Sequence, residues 1–273
     1  MKFIFFFCLF ILSHPSYSQE VISTIVDISH DDDLTRIYLE NGGVLKSNKT
    51  LHGVEIGHTY KFQYSTDRII TLISPTNRHP RFNETTLKLL NYPDLFQSYF
   101  PTILPSTQRA NELFNELEHQ MNNSECFNRA HMWNYSWRIK HQLYTSKAWI
   151  FFTRKYIRKY DFQWWFHVAP LVHVALDDVV TERIADKKYS KRTQTMKEWT
   201  DIFMRNNVEC PLIDLYSEYA NYPETGWCYV MKTSMYYYQP VDLETYERDG
   251  IPKNTWNYLE VKQAYKDALG VDI

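Results

Sequence analysis

Two regimes of hydrophobic patterning follow one another along the chain. From Val21 to Ser74, apolar and polar residues alternate in short runs broken by turn residues. In "TRIYLENGGVLKS", Glu40-Asn41-Gly42-Gly43 separates two such runs, and an Asn-Gly pair between alternating segments predicts a tight β-hairpin. "HTYKFQYSTDRIITLISP" adds two short strands around Ser65-Thr66-Asp67. The pattern predicts a small all-β domain over residues 19–75, in the manner of a five-stranded barrel. "PTNRHPRFN" breaks the alternation, and residues 76–104 read as a linker with short helices such as "NETTLKLLNY".

From about residue 105 the period lengthens. "STQRANELFNELEHQM" reads as a helix that Ser106 or Thr107 can cap, with Ala110, Leu113, Phe114 and Leu117 on one face. A further helix is expected from Glu125 to about His141, capped by Asn123 or Ser124. Three strand-like runs follow: Lys147–Thr153, "FQWWFHVAPLVHVAL" and "VVTERIADK". Residues 207–231 read as irregular. "TWNYLEVKQAYKDAL" closes the chain as a helix with Tyr258, Val261, Tyr265 and Leu269 on one side. These elements are read as one domain spanning 105–273.

Composition narrows the function classes. The 273 residues carry a formal net charge of −2, which gives no electrostatic case for nucleic acid or an anionic membrane. Seven glycines argue against a Gly-rich nucleotide-binding loop. The ten histidines show no His-x-x-x-His spacing and the cysteines no Cys-x-x-Cys spacing, so neither a metal nor a cofactor is expected.

The N-terminus has a basic Lys2, an apolar run from Phe3 to Leu12, and small residues at Ser16-Tyr17-Ser18. Residues 1–18 are therefore expected to be a secretory signal peptide, placing the mature protein outside the cell or in a periplasm. The apolar run is far shorter than the ~20 residues that span a bilayer. No membrane association is expected after cleavage.

Export changes the cysteine arithmetic. Cys8 leaves with the signal, so Cys126, Cys210 and Cys228 remain, an odd number in an oxidising compartment. Cys210 and Cys228 lie 18 positions apart in turn-rich stretches and form the easiest disulfide. Closing that loop is worth ~3 kcal/mol in the chain-entropy model. Cys126 is then the thiol that needs another purpose. At the first turn of a helix, a thiolate is favoured over a thiol and free backbone N–H groups can receive an oxyanion. His167, in an apolar strand, is the candidate base. Asp186 ends the next strand, where an antiparallel neighbour of His167 would bring it to the imidazole; Asp177 and Asp178 are rivals in the intervening turn. Arg129 is read as holding the helix to an acidic group, and His131 as a packing residue. Trp165, two positions from His167, shares its face by alternation and is a candidate wall for a substrate stem.

These residues carry a resemblance. "CFNRAH" at 126–131, "SKAWIF" at 146–151, "WFHVAPLV" at 165–172 and "TERIAD" at 181–186 occur in the order of the protein-glutamine glutaminase (protein deamidase) family. The resemblance covers roughly Pro105 to Tyr189. It implies an α+β papain- and transglutaminase-like core, with a nucleophile helix packed on an antiparallel sheet. It also implies a Cys126–His167–Asp186 triad. The activity it implies is hydrolysis of glutamine side-chain amides in proteins or peptides, releasing ammonia through a thioester. The partner is then a protein or peptide with an accessible glutamine, and the enzyme is expected to be a monomer. Two departures stand out: Lys187 follows the Asp where relatives often have Pro, and the β unit lies outside the motifs. Some members of the family carry an inhibitory pro-segment, a role open to the β unit. A cysteine protease or a transglutaminase would use the same triad. A secreted binding module, using "MYYYQP" as a surface, is the non-enzymatic alternative.

Overall fold

In the first part of the chain, strand-forming residues alternate in and out with a period of two. A computed structural model describes residues 18–31, 33–76, 100–119, 124–205, 208–221, 226–250 and 252–273. The proposed signal peptide, apart from Ser18, and the "NETTLKLLNY" segment lie outside these. The chain divides into two units, 1–40 with 44–83, and 41–43 with 84–273.

In the first unit, β1 (Gln19–Asp31), β2 (Leu34–Leu39), β3 (Val44–Ser47), β4 (Thr59–Tyr64) and β5 (Ile70–Pro75) form a sheet in the order β3-β2-β1-β4-β5. All of its neighbours are antiparallel. A bridge from Lys46 to Ile69 draws the two outer strands together. Its core is Ile25, Ile37, Leu39, Leu45, Tyr60 and Phe62.

The second unit is built on a mixed sheet. Its strands are β6 (Ile103–Leu104), β7 (Ser146–Phe152), β8 (Phe166–Leu176), β9 (Val179–Ile184), β10 (Leu212–Ile213) and β11 (Cys228–Ser234). The order is β10-β11-β7-β8-β6, with β9 paired to β8. The central pairs are antiparallel, while β6 and β10 join in parallel, so the sheet is not antiparallel throughout. Every residue of β7 is buried, which explains why "SKAWIFF" reads as an unbroken apolar run around one lysine.

The helices are α1 (Thr107–Asn115), α2 (Cys126–His141), α3 (Arg154–Tyr160), α4 (Met196–Phe203), α5 (Tyr216–Asn221), α6 (Pro240–Asp249) and α7 (Tyr258–Leu269). Ser106 caps α1 by accepting from the Arg109 N–H. The 207–231 region departs from the expectation of irregular chain, since it holds β10, α5 and the start of β11. The Cys210–Cys228 disulfide is formed and ties the segment before β10 to the first residue of β11. Tyr236, Tyr237 and Tyr238 are buried, which removes the ground for reading "MYYYQP" as a binding surface.

Helix α2 packs on both β8 and α7 and is buried nearly all round from Phe127 to Asn134. Its polar side chains therefore need partners, because an unpaired buried polar group is costly. Asn128 donates to Asp267 at 3.1 Å and accepts from the Tyr238 hydroxyl. Asn134 donates to the Ala130 carbonyl at 2.9 Å and accepts from Thr145 at 2.6 Å. Gln142 ends the helix in the left-handed conformation, with Arg138, Lys140 and His141 in the last turn opposing the helix dipole.

Candidate active site

Cys126 is the first residue of α2, half-buried and free of any disulfide. The residue before it, Glu125, takes the cap position with extended backbone and makes no side-chain cap bond. The expected cap, Asn123 or Ser124, is not what the helix uses; Asn123 lies outside the described residues. The first-turn N–H groups thus have no side-chain cap, and a helix start of this kind favours a negative group. The Ser124 carbonyl instead accepts from Arg129, which is buried. Arg129 holds the approach to the helix through a backbone oxygen rather than through the acidic partner expected from sequence.

His167 and Asp186 meet because β8 and β9 are antiparallel. Leu171 pairs with Ile184, and the Ala185 N–H donates to Pro170 O at 2.8 Å, which brings the next residue to the buried end of β8. His167 Nε2 lies 2.7 Å from Asp186 Oδ2, and both side chains are almost fully buried. Asp186 also accepts from Trp199 Nε1 at 2.9 Å. The Asp186 carbonyl accepts from the Tyr189 and Ser190 N–H groups, which fixes the turn that follows. With Nε2 committed to Asp186, Nδ1 is the nitrogen left for exchange with Cys126, which lines the same cavity. Asp177 and Asp178 sit exposed in the β8–β9 turn, Asp177 with a φ of 54°.

The charges follow from this packing. Burial disfavours a charged His167. The Asp186 charge and hydrogen bond, then the hydrogen bond with Cys126, more than offset it and raise its pKa to about 9. Burial likewise works against the Asp186 carboxylate, but the His167 charge, the Trp199 hydrogen bond and the Arg129 charge hold its pKa below the ordinary carboxylate range. Burial pushes Tyr189 up to about 12, so its hydroxyl keeps its proton at neutral pH.

A cavity of about 280 Å³ opens on these groups, lined among others by Cys126, His167, Arg129, Tyr189, Trp164 and Asn41. Trp164 stacks on His167, with ring centroids 6.1 Å apart and planes at 25°. Trp165, the wall expected from alternation, is buried instead beside Phe151, Phe166 and Tyr219. Alternation places it wrongly because the ladder starts at Phe166, and the two tryptophans precede it. Trp199 was not foreseen at all. Its signal is the capping box Thr195-x-x-Glu198 that starts α4, followed by a tryptophan whose buried N–H needs an acceptor. Asn41–Gly43 group with the second unit, where Asn41 donates to Glu125 at 3.2 Å and the Gly42 carbonyl accepts from the Trp165 N–H at 3.0 Å.

A half-buried cysteine at a helix start thus shares a cavity with a buried His–Asp pair, on the mixed sheet of the second unit. The fold is that of protein-glutaminase. A crystal structure of pro-protein-glutaminase superposes with a TM-score of 0.55 at 14% identity, over 92% of this chain and 93% of that one. A mutant form of pro-protein-glutaminase superposes with a TM-score of 0.54 at 13% identity, over 93% and 94%. Residues 98–203, which contain Cys126, His167 and Asp186, match the glutaminase family model, so the family read from the motifs is supported for the segment that carries them. No curated protein matches the chain by sequence.

Proposed function

We propose that this protein is an exported, cysteine-dependent protein-glutamine glutaminase with a papain- and transglutaminase-like catalytic core. The observation that carries the reading is the 2.7 Å His167–Asp186 pair sharing its cavity with a free cysteine at a helix start. Cys126 passes its proton to His167 Nδ1 while Asp186 holds the ring. The thiolate attacks the side-chain carboxamide carbon, and N–H groups of the first turn of α2 stabilise the oxyanion. The imidazolium proton goes to the leaving nitrogen, ammonia departs, and a thioester remains. Water then gives a proton to His167 and attacks the thioester carbon. The C–S bond breaks, glutamate is released, and Cys126 recovers its proton. The stacked Trp164 is the better wall for the apolar stem of a glutamine than Trp165.

Ammonia release from casein, with intact-mass analysis of the substrate, tests the reading. The mature chain should release ammonia and leave the polypeptide unbroken, with glutamines converted to glutamates. Cys126→Ala should lose at least ~10³-fold in rate while keeping its melting temperature. Fragments would mean a protease, amine incorporation a transglutaminase, and activity retained by Cys126→Ala would sink the mechanism.

The segment before about Thr76 is proposed to restrain this activity through Asn41–Gly43, the part of it that groups with the second unit. Asn41 lines the cavity with a carboxamide of its own, the group the enzyme is proposed to attack. A chain starting after about Thr76 should be the more active one; equal or lower activity would assign the β unit to support or targeting.

A further inference from the structure

A second buried polar set lies along the same helix, five residues after Cys126 and roughly 140° further round its axis. His131 is fully buried, with Nδ1 2.8 Å from Lys147 Nζ. Lys147 belongs to β7, the strand beside that of His167, is itself fully buried, and donates to the Tyr237 carbonyl. His131 Nε2 has no hydrogen-bond partner among the described residues and faces the Glu260 carboxylate of α7 at 3.9 Å. Glu260 holds Lys253 through both oxygens, at 2.8 and 2.7 Å, and Lys253 reaches Asp242 of α6 at 3.1 Å. The rings of Tyr238 and Trp256 close on the imidazole, each with its centroid 4.7 Å away.

Such a set is held by mutual compensation. Two lysines and two carboxylates share a space largely closed to water, with Lys253 14% exposed at its edge, so removing one member strands the charge of another. Burial drives Lys147 well below the ordinary lysine range, and Lys253 adds to this; Asp242, Glu260 and Cys126 oppose it. Lys147 therefore lies within electrostatic reach of the proposed nucleophile. Burial lifts Glu260 to about 7 despite Lys253. The set joins β7, α2, α6 and α7, and α2 is the element whose first residue is Cys126. A rotation of α2 would carry the sulfur away from His167, and displacements near 1 Å are enough to slow catalysis ~100-fold.

We propose that Lys147, His131 and Glu260 are positioning residues, a buried chain from β7 through α2 to α7 that holds the Cys126 sulfur in register with His167. The inference rests on the glutaminase reading for its turnover readout, but only on the chemistry of Cys126 for its second.

Glu260→Gln keeps the shape and removes the charge. Its kcat for ammonia release should fall about tenfold with KM little changed. The rate of Cys126 alkylation by iodoacetamide, without substrate, should fall by a similar factor, and its pH profile should shift. A role in stability alone would lower the melting temperature and leave the alkylation profile of the folded protein in place. A folded Glu260→Gln with the wild-type alkylation rate and pH profile overturns the proposal. Should Glu260→Gln fail to fold, His131→Asn carries the same readouts and the same criterion. An altered alkylation profile in a chain whose wild type releases no ammonia would sink the glutaminase reading and leave the positioning role standing.

Discussion

The surroundings of His167 and His131 make opposite use of the same residue. Both imidazoles are almost fully buried, and both are walled by aromatic rings. Burial alone pushes each toward neutrality. His167 has a carboxylate at 2.7 Å and titrates at about 9, whereas His131 has a lysine at 2.8 Å and is held well below the ordinary histidine value by burial and the Lys147 and Lys253 charges. Burial is the largest influence on both; the Asp186 carboxylate reverses it at His167, whereas the Lys147 and Lys253 charges reinforce it at His131. One fold therefore holds a ring that keeps its proton beside Cys126 and, five residues along the helix from that cysteine, a ring suited to hydrogen-bond without charge.

Asp186→Asn should break the contrast most severely. It gives His167 a neutral neighbour, so its pKa should drop from about 9 to below 6.5, and kcat should fall on the order of 10³–10⁴-fold. NMR titration of the His167 ring, beside the ammonia assay, checks both. A His167 pKa unchanged in the variant would show that something other than Asp186 sets it.

The next test is in stability. The His167 pKa is raised above the ~6.5 of an unfolded histidine, so its contribution is complete below about pH 6.5 and is lost as pH rises through about 9. Asp186 is held below the ordinary aspartate value of 3.8, so its contribution is present above that pH and is lost as pH falls through its lower folded value. The melting-temperature gap between wild type and Asp186→Asn should be widest between these limits and narrow on the alkaline side as pH rises through about 9, leaving the part due to the Trp199 hydrogen bond. A gap that stays constant from neutrality to pH 10 would contradict the account. The smallest effect is expected from Trp199→Phe, which removes only the indole donor to Asp186. Its kcat should fall roughly five- to tenfold, with a small increase in the His167 pKa, because a carboxylate with one donor fewer draws the imidazolium proton more strongly.

The sequence exposes those parts of this site that announce themselves by local pattern. Cys126 stands out by cysteine parity and by the helix it opens. His167 and Asp186 stand out because β8 and β9 are runs of strand-forming residues joined by a two-residue turn. What stays hidden depends on where ladders begin and on long-range partners. Trp164, rather than Trp165, reaches the imidazole because period-two alternation applies only from Phe166 onward. Trp199 lies on an eight-residue helix 13 positions after Asp186, and nothing local ties it to that carboxylate. Lys147 and His131 read as motif residues, but their common partner Glu260 comes from the other end of the chain. The short helix "RKYIRKY" escaped notice because its apolar face is only Tyr156 and Ile157. The buried tyrosines 236–238 looked like surface because a phenol suits either place.

Lys187 gives the region after β9 a further property. Its ammonium donates to the carbonyls of Asn115 and Leu117 at the end of α1, at 2.8 and 2.5 Å, while its neighbour Asp186 turns inward to the imidazole. The two neighbouring side chains thus leave the chain on opposite sides where β9 gives way to the turn at 187–189. Spelling and spacing are therefore unequal constraints here: many substitutions beyond Lys187 leave both contacts alone, but losing a single residue between Ile184 and Asp186 would exchange them. The ammonium would be delivered to the imidazole and the carboxylate to the carbonyl end of α1, two repulsive pairings from one missing codon. In this stretch a deletion is the more damaging lesion.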